Sequence, residues 1–334
     1  MKHLFYIHSY VTYLVTLGVV EHHRIKDEDI VLVYGRGGVS QNRFKAIDVD
    51  KAYPDIAHLP TFGTSLMFLK KFNHIALFDN AIKNLVENKK FICYLPSNNH
   101  FLLQLLATHS LCNGVNFIEE GLFTYNNNFY KKNWPFEGVL GLVKRVVNTG
   151  CRNVKPEKLV REGTLFTLFD TSVYGNSITK ECVMPVLENI SYPGIILAET
   201  NLLLLNAFKD VNESVRHSIL DVLADFAVNC KEIYIKHHPY ADSKFKKEVE
   251  QTFARCGTNV HVIPEDAQTE LMLFKSKNLN IYGFFSAAMM YGALFGHKAY
   301  SFTKRFEHKS PACASYLLNN FAIPDIFFKH VNLL

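Results

Sequence analysis

Short apolar runs that stop at polar, glycine or proline residues and give way to helical segments recur along this chain. That alternation confines it to a sheet with helices packed on its faces. The clearest case is KEIYIKHHPY, residues 231–240. Ile233 and Ile235 alternate with Glu232, Tyr234 and Lys236, the period-two signature of a strand. In an open parallel sheet the ligand crevice lies beyond the carboxyl ends of the strands, which is where His237 and His238 stand. Pro239 removes an amide and fixes the direction in which the chain leaves. A histidine so placed can donate a proton near neutral pH, or can be a strand-end residue bonded to a neighbouring carbonyl.

The same rhythm runs through the front half. A strand is expected over Leu4–Ile7, with a helix starting near Ser9, whose hydroxyl can cap it. A second strand opens after Asp29, and its run Ile30–Val33 is apolar on both faces. It ends in Gly35, Gly37 and Gly38, but GRGG lacks the GxGxxG spacing and no clear helix follows, so an acceptor-facing or merely tight turn is expected there in place of a nucleotide loop. A helix (Asp79–Asn88), a strand (Lys90–Leu95) and a helix (Asn99–Cys112) follow, with Asn98, Asn99 and His100 serving as caps or as binders of polar hydroxyls. The strand Gly114–Ile118 runs into Glu119-Glu120-Gly121. Neighbours in a strand point to opposite sides, so one of these carboxylates faces a crevice and the other has a structural role. The next segment carries Trp134 and basic residues from Lys131 to Lys158, suited to an acceptor or to an anionic membrane surface. REGTLFTLFDTS then returns as a strand, and the proline, asparagine and glycine between Val183 and Gly194 mark the inter-domain linker.

The back half opens with a strand expected over Ile195–Ala198 and an amphipathic helix over Asn212–Asn229, its apolar face formed by Val215, Ile219, Val222, Leu223 and Phe226. After the KEIYIKHHP strand come a helix (Ser243–Cys256), the strand NVHVIP, a helix from Ala267 to Leu273 and a strand from Leu279 to Tyr282. Gly283 is expected to turn the chain, and Ser286 sits where an N-cap belongs, before Ala287 and Ala288. A helix start with small side chains presents amides and a positive dipole end to a phosphate. The terminal FAIPDIFFKHVNLL reads as a helix that packs back across the domains or meets a membrane.

Composition narrows the class. Apolar residues make up 48% and charged residues 20% of 334, enough for two cored domains, placed at 1–188 and 189–334. Seven cysteines, odd in number and without a CxxC pair, speak against a disulfide framework and against a zinc site, and fit a reducing compartment. The apolar runs are interrupted or too short to span a bilayer, no signal peptide is recognised, and the expected location is cytoplasmic, with the inner membrane as a peripheral docking surface. The mild net charge of +5, the 15 histidines and the basic cluster from Lys131 to Lys158 fit an anionic partner, with an ordinary solvated face as the alternative account of each charge.

A D/E-D/E-G motif (Glu119-Glu120-Gly121), a later HP motif (His238-Pro239) and a serine motif (Ser286) in that order resemble the two-domain bacterial sialyltransferases acting on lipooligosaccharide and capsule. The resemblance implies a GT-B fold, two Rossmann-like doubly wound domains facing a central cleft, and an inverting, metal-independent transfer of sialic acid from CMP-sialic acid to a glycan hydroxyl. It implies Glu120 as base and protonated His238 as acid or phosphate ligand. Ser286 with Ala287 would grip the phosphate, and Glu270, with Glu265 as competitor, would hold the ribose. Lys236, Pro239 and Gly283 complete the expected donor-binding set. Ala287 departs from the family's frequent second serine or threonine, which shifts part of the grip to backbone amides. No cofactor is implied. The expected partners are the CMP-sugar donor and a glycan acceptor, with an anionic membrane and a second copy as further candidates and nucleic acid excluded. Kdo or another nonulosonic acid as donor sugar, and a silent nucleotide-sugar-binding protein, are the rival readings.

Overall fold

The computed structural model describes residues 1–35, 43–53, 65–97, 100–125, 163–170, 179–186, 190, 192–208, 211–320 and 323–334. Trp134, the basic segment Lys131 to Lys158, Gly37, Gly38, Asn98 and Asn99 lie outside them. The chain divides into two compact units, Met1–Asn189 and Ile190–Leu334.

The first unit is built on seven parallel strands: β1 (Lys2–Ile7), β2 (Ile30–Tyr34), β3 (Lys45–Asp48), β4 (Phe91–Leu95), β5 (Cys112–Ile118), β6 (Thr164–Thr167) and β7 (Thr179–Cys182). They lie in the order β3-β2-β1-β4-β5-β6-β7. This is the doubly wound arrangement, in which the strand order reverses direction between β1 and β4 and opens a crevice at their carboxyl ends. All five residues of β2 are buried, as an apolar run flanked by helices on both faces requires. Helix α1 (Tyr10–His22) is buried from Val11 to Val20, and Ser9 caps it by accepting the Thr12 N–H while the Thr12 hydroxyl reaches back to the Ser9 backbone. Helices α2 (Val49–Ala52), α3 (Ser65–Leu85) and α4 (Phe101–Ala107) complete the described part. Helix α4 stops earlier than the expected Cys112. Thr108 turns its hydroxyl onto the Gln104 carbonyl at 2.7 Å, and His109 takes the Leu111 N–H on Nδ1 while its Nε2 meets the Asp79 carbonyl at 3.1 Å. With those groups satisfied, β5 begins already at Cys112.

The second unit repeats the plan with β8 (Asn201–Leu204), β9 (Glu232–Lys236), β10 (Asn259–Val262), β11 (Asn280–Gly283), β12 (Lys298–Ser301) and β13 (Asn332–Leu333). Their order is β10-β9-β8-β11-β12-β13, all pairs parallel. The direction here reverses between β8 and β11. Helix α5 (Glu213–Ala227) buries Val215, Ile219, Val222 and Leu223, and its Asn212 cap accepts the Val215 N–H at 2.9 Å. Helix α6 (Ser243–Arg255) buries Phe245, Val249 and Phe253. Helices α7 (Thr269–Lys275), α8 (Ala287–Leu294), α9 (Thr303–Lys309), α10 (Pro311–Asn320) and α11 (Asp325–His330) follow.

Two expectations fail here, those for Ile195–Ala198 and for Gly283. Ile195–Ala198 is not a strand: Ile195 and Ile196 are exposed, Ala198 makes one isolated bridge to Lys277, and the ladder begins at Asn201. The terminal segment supplies a helix and then β13, which pairs with β12 and closes the edge of its own unit. Gly283 does not turn the chain; it ends β11 in register with Leu204 and Ser301. A Cβ there would stand 2.6 Å from the Leu204 carbonyl oxygen and 2.8 Å from Met289 Sδ, so close approach is what demands glycine.

Candidate active site

In the first unit, β1 ends at Ile7 and β5 at Ile118, which brings His8 and Glu119-Glu120 to one edge of the sheet. The two carboxylates separate as strand alternation demands. Glu119 is fully buried, and its Oε2 accepts the Leu168 N–H at 2.7 Å, tying β5 to the residue after β6. Glu120 is partly exposed, with side-chain exposure of 26%, and its Oε1 meets Nε2 of His8 at 3.1 Å. Its own N–H donates to the Thr124 hydroxyl at 2.9 Å. Gly121 follows with φ of +136°, a conformation open to glycine and costly to other residues, so the chain turns away and leaves Glu120 at the rim. His8 escaped the sequence reading because its partner lies 112 residues away. The available signal was a histidine at the carboxyl end of the first strand. The His8 ring is 8% exposed, and its Nδ1 finds no hydrogen-bond partner among the described residues.

In the second unit the carboxyl ends of β8, β9 and β11 carry the remaining residues. His237 is buried, with Nε2 at 2.9 Å from Glu250 Oε1; burial holds its pKa below the ordinary histidine value, and the Glu250 bond offsets part of that. It is a packing residue. His238 is half-buried and accepts the Tyr240 N–H on Nδ1 at 3.1 Å, while its carbonyl accepts the Ala241 N–H at 2.9 Å across a turn with Pro239 at the second position. That bond occupies the Nδ1 lone pair and leaves Nε2 as the ring nitrogen placed to donate. Beside this turn lies a cavity of about 340 Å³ between Phe208, Arg216, Tyr240, Asp242 and Phe245.

Ser286 caps α8, its hydroxyl accepting the Ala288 N–H at 3.2 Å. The Ala287 N–H has no partner among the described residues. The approach to Ser286 is held by residues that sequence reasoning missed. The Asn206 side chain both accepts from and donates to the Phe285 backbone, continuing the β8–β11 ladder past its last strand residue. Ser301 and Thr303 hydroxyls both donate to the Phe284 carbonyl. An asparagine directly after the apolar run NLLLL was the readable signal.

The expected ribose ligands part company. Glu265 is exposed and bound to Lys246 Nζ at 2.5 Å, which holds its carboxyl below the usual range. Glu270 sits in the first turn of α7, where burial pushes its carboxyl up towards the protonated form. Lys236 is buried and donates to the Pro264 and Glu265 carbonyls at 2.7 Å each. Burial lowers its pKa, and the ammonium fastens the end of β9 to the loop beyond β10. Thus His238, Pro239, Ser286, Ala287, Gly283, Lys236, Glu265 and Glu270 share the carboxyl edge of one sheet, and Glu120 with His8 stands at that edge of the other.

Comparison with known proteins agrees with the architecture. The UDP-GlcNAc 2-epimerase of Methanocaldococcus jannaschii superposes with a TM-score of 0.51 at 13% identity, over 100% of this chain and 89% of that one. The S. aureus MnaA-UDP co-structure gives 0.46 at 10% identity, over 99% and 92%. A glycosyltransferase from Rickettsia africae gives 0.46 at 10% identity, over 99% and 94%. At such identities the likeness concerns the fold, two Rossmann-like units of GT-B type. No curated protein matches the chain. The family model described as alpha-2,8-polysialyltransferase (POLYST) matches residues 3–301, a span that takes in Glu120, His238 and Ser286. With nine-tenths of its length inside that match, the chain belongs to the alpha-2,8-polysialyltransferase family of glycosyltransferases.

Proposed function

We propose that the protein transfers sialic acid from CMP-sialic acid to a glycan hydroxyl in a single inverting displacement that needs no metal ion. The family match supports a sialyl donor, and its alpha-2,8 description supports a terminal sialic acid of a capsule- or lipooligosaccharide-type glycan as acceptor. The observation that carries the reading is Glu120: a partly exposed carboxylate at a strand end, oriented by His8 and paired with no lysine or arginine among the described residues.

In this mechanism Glu120 takes the proton of the acceptor hydroxyl as its oxygen attacks the anomeric carbon of the donor. The bond from that carbon to the phosphate oxygen breaks, and its electron pair leaves with CMP. The developing charge on the phosphate meets the Nε2–H of His238, the Ser286 hydroxyl and the Ala287 N–H. The donor carbon already bears a carboxylate, so the transition state is oxocarbenium-like and asks little of the nucleophile. Positioning and leaving-group stabilisation supply most of the rate. Glu270, partly buried in the first turn of α7, is the assigned ribose ligand, since the Glu265 carboxylate is engaged by Lys246.

The test is calorimetric binding of CMP and CMP-sialic acid together with CMP release, with and without an oligosialic acceptor and with EDTA. Acceptor-dependent release that survives EDTA supports the proposal. Binding without release would make the protein a silent nucleotide-sugar module. Release only from CMP-Kdo or another CMP-nonulosonic acid would move the donor assignment, and a strict metal requirement would contradict the mechanism.

A further inference from the structure

The carboxyl-terminal end of α1 holds a side-chain cluster that the transfer chemistry does not use. His22 is the last residue of the helix and His23 its C-cap, while Glu181 lies on the edge strand β7. The Nε2 atoms of the two histidines stand 3.5 and 3.3 Å from the same oxygen, Oε2 of Glu181. All three donor atoms fall within 4.8 Å of one another. We propose that His22, His23 and Glu181 form a binding site for a divalent first-row transition ion, with zinc as the type case, that pins the end of α1 to β7.

Four observations carry this. First, a tetrahedral zinc ion with nitrogen and oxygen ligands at about 2.0–2.1 Å sets those ligand atoms roughly 3.3–3.4 Å apart, close to the two measured separations. Second, the donor set of two imidazoles and one carboxylate suits zinc, nickel or copper and does not suit calcium or magnesium, which take oxygen. Third, the site lies at the negative end of the α1 dipole, where a cation is favoured. Fourth, the rings are held: His23 packs edge-on against Phe166 at 5.3 Å and against His22 at 4.9 Å.

The three side chains are 52%, 39% and 33% exposed, which leaves a coordination position for water and an entry path. Cys182 is not a fourth ligand. Its Sγ donates to the Leu168 carbonyl, and its neighbour relation to Glu181 along the strand turns it to the other face. The site is remote from the chemistry. The 13 residues of α1 carry it roughly 20 Å from Ser9 and His8 at about 1.5 Å per residue. Its role is therefore a staple between a helix and a four-residue edge strand, and its loading is separable from sialyl transfer.

The experiment titrates the chelator-stripped full-length protein with Co²⁺ and follows the visible d–d bands, with Zn²⁺ used to displace the cobalt and to shift thermal unfolding. Wild type should show the bands of tetrahedral nitrogen and oxygen ligation without thiolate charge transfer in the near ultraviolet. His23→Gln and Glu181→Gln should each bind at least about tenfold more weakly and lose the Zn²⁺ shift in unfolding temperature. Cys182→Ser should titrate like wild type. Wild type without bands, variants that titrate like wild type, or a thiolate band abolished by Cys182→Ser would overturn the site. One variant changes an exposed side chain and the other a partly exposed one, so retained far-ultraviolet dichroism confirms that each comparison is made on folded protein.

Discussion

Two adjacent carboxylates in opposite surroundings, proposed as brace and base, permit a sharp test. Glu119 is fully buried and accepts the N–H of Leu168, itself 1% exposed. A hydrogen bond to a charged acceptor contributes about 1.5–3 kcal/mol, and a buried donor left without a partner costs a similar amount. Glu119→Ala should therefore lower the free energy of unfolding by about 2–3 kcal/mol, read as a fall in the urea midpoint at unchanged slope. Glu120→Gln keeps size and shape at a partly exposed position, so its stability should stay within about 0.5 kcal/mol of wild type. Turnover is where Glu120→Gln should fail, by about 10²–10⁴-fold, the range for a lost general base, with KM for the donor little changed. The assays are urea unfolding followed by circular dichroism and acceptor-dependent CMP release. If Glu120→Gln turned over normally, or if Glu119→Ala lost activity with full stability, the assignment of base and brace would be reversed and the reasoning refuted.

The histidine pair should divide in the same way. His238→Ala should lose about 100-fold in turnover with little change in stability, whereas His237→Ala should destabilise the fold and leave the folded fraction active; the opposite split, read by the same two assays, would exchange their roles. His8→Ala should slow turnover about tenfold by releasing Glu120, and His8→Gln, which keeps a donor, should recover most of it; equal loss in both would show that His8 does more than orient. Stability should fall as pH drops below 6.5. Burial lowers the pKa of both His237 and His297, so the unfolded chain takes up protons there first, and the contribution is complete above that pH and lost as pH falls towards the folded-state values. His297 donates from Nε2 to the Leu273 carbonyl at 2.8 Å and accepts the Leu279 N–H on Nδ1. His297→Gln should flatten part of that slope in urea titrations between acid and neutral pH, and an unchanged slope would remove His297 from the account.

Strands that carry both sheets were legible because a run of four apolar residues, or strict alternation about two isoleucines, admits few other fates: Ile30–Val33 and Ile233–Ile235 land where their patterns put them. The opposite burial of Glu119 and Glu120 was legible too, since alternation along a strand is fixed by backbone geometry. What escaped depends on partners distant in sequence. Ile195–Ala198 has the letters of a strand, yet the ladder uses Asn201–Leu204, whose Leu202 and Leu204 find register with Tyr234 and Lys236. The two-residue β13 has no apolar run to announce it and exists because β12 offers an open edge. His8 and Asn206 are ordinary letters until folding sets them against Glu120 and Phe285. The tautomer of His238 is likewise set by the Tyr240 amide, a feature of turn geometry invisible in the string HHPY.

The most direct measurement is the mass of an oligosialic acceptor after incubation with CMP-sialic acid and wild-type protein, beside Glu120→Gln. Mass added in whole sialyl units by wild type, and nearly abolished by the variant, is the predicted result. An acceptor left at its starting mass while CMP-sialic acid binds, or equal extension by both proteins, would contradict a transferase that works through Glu120.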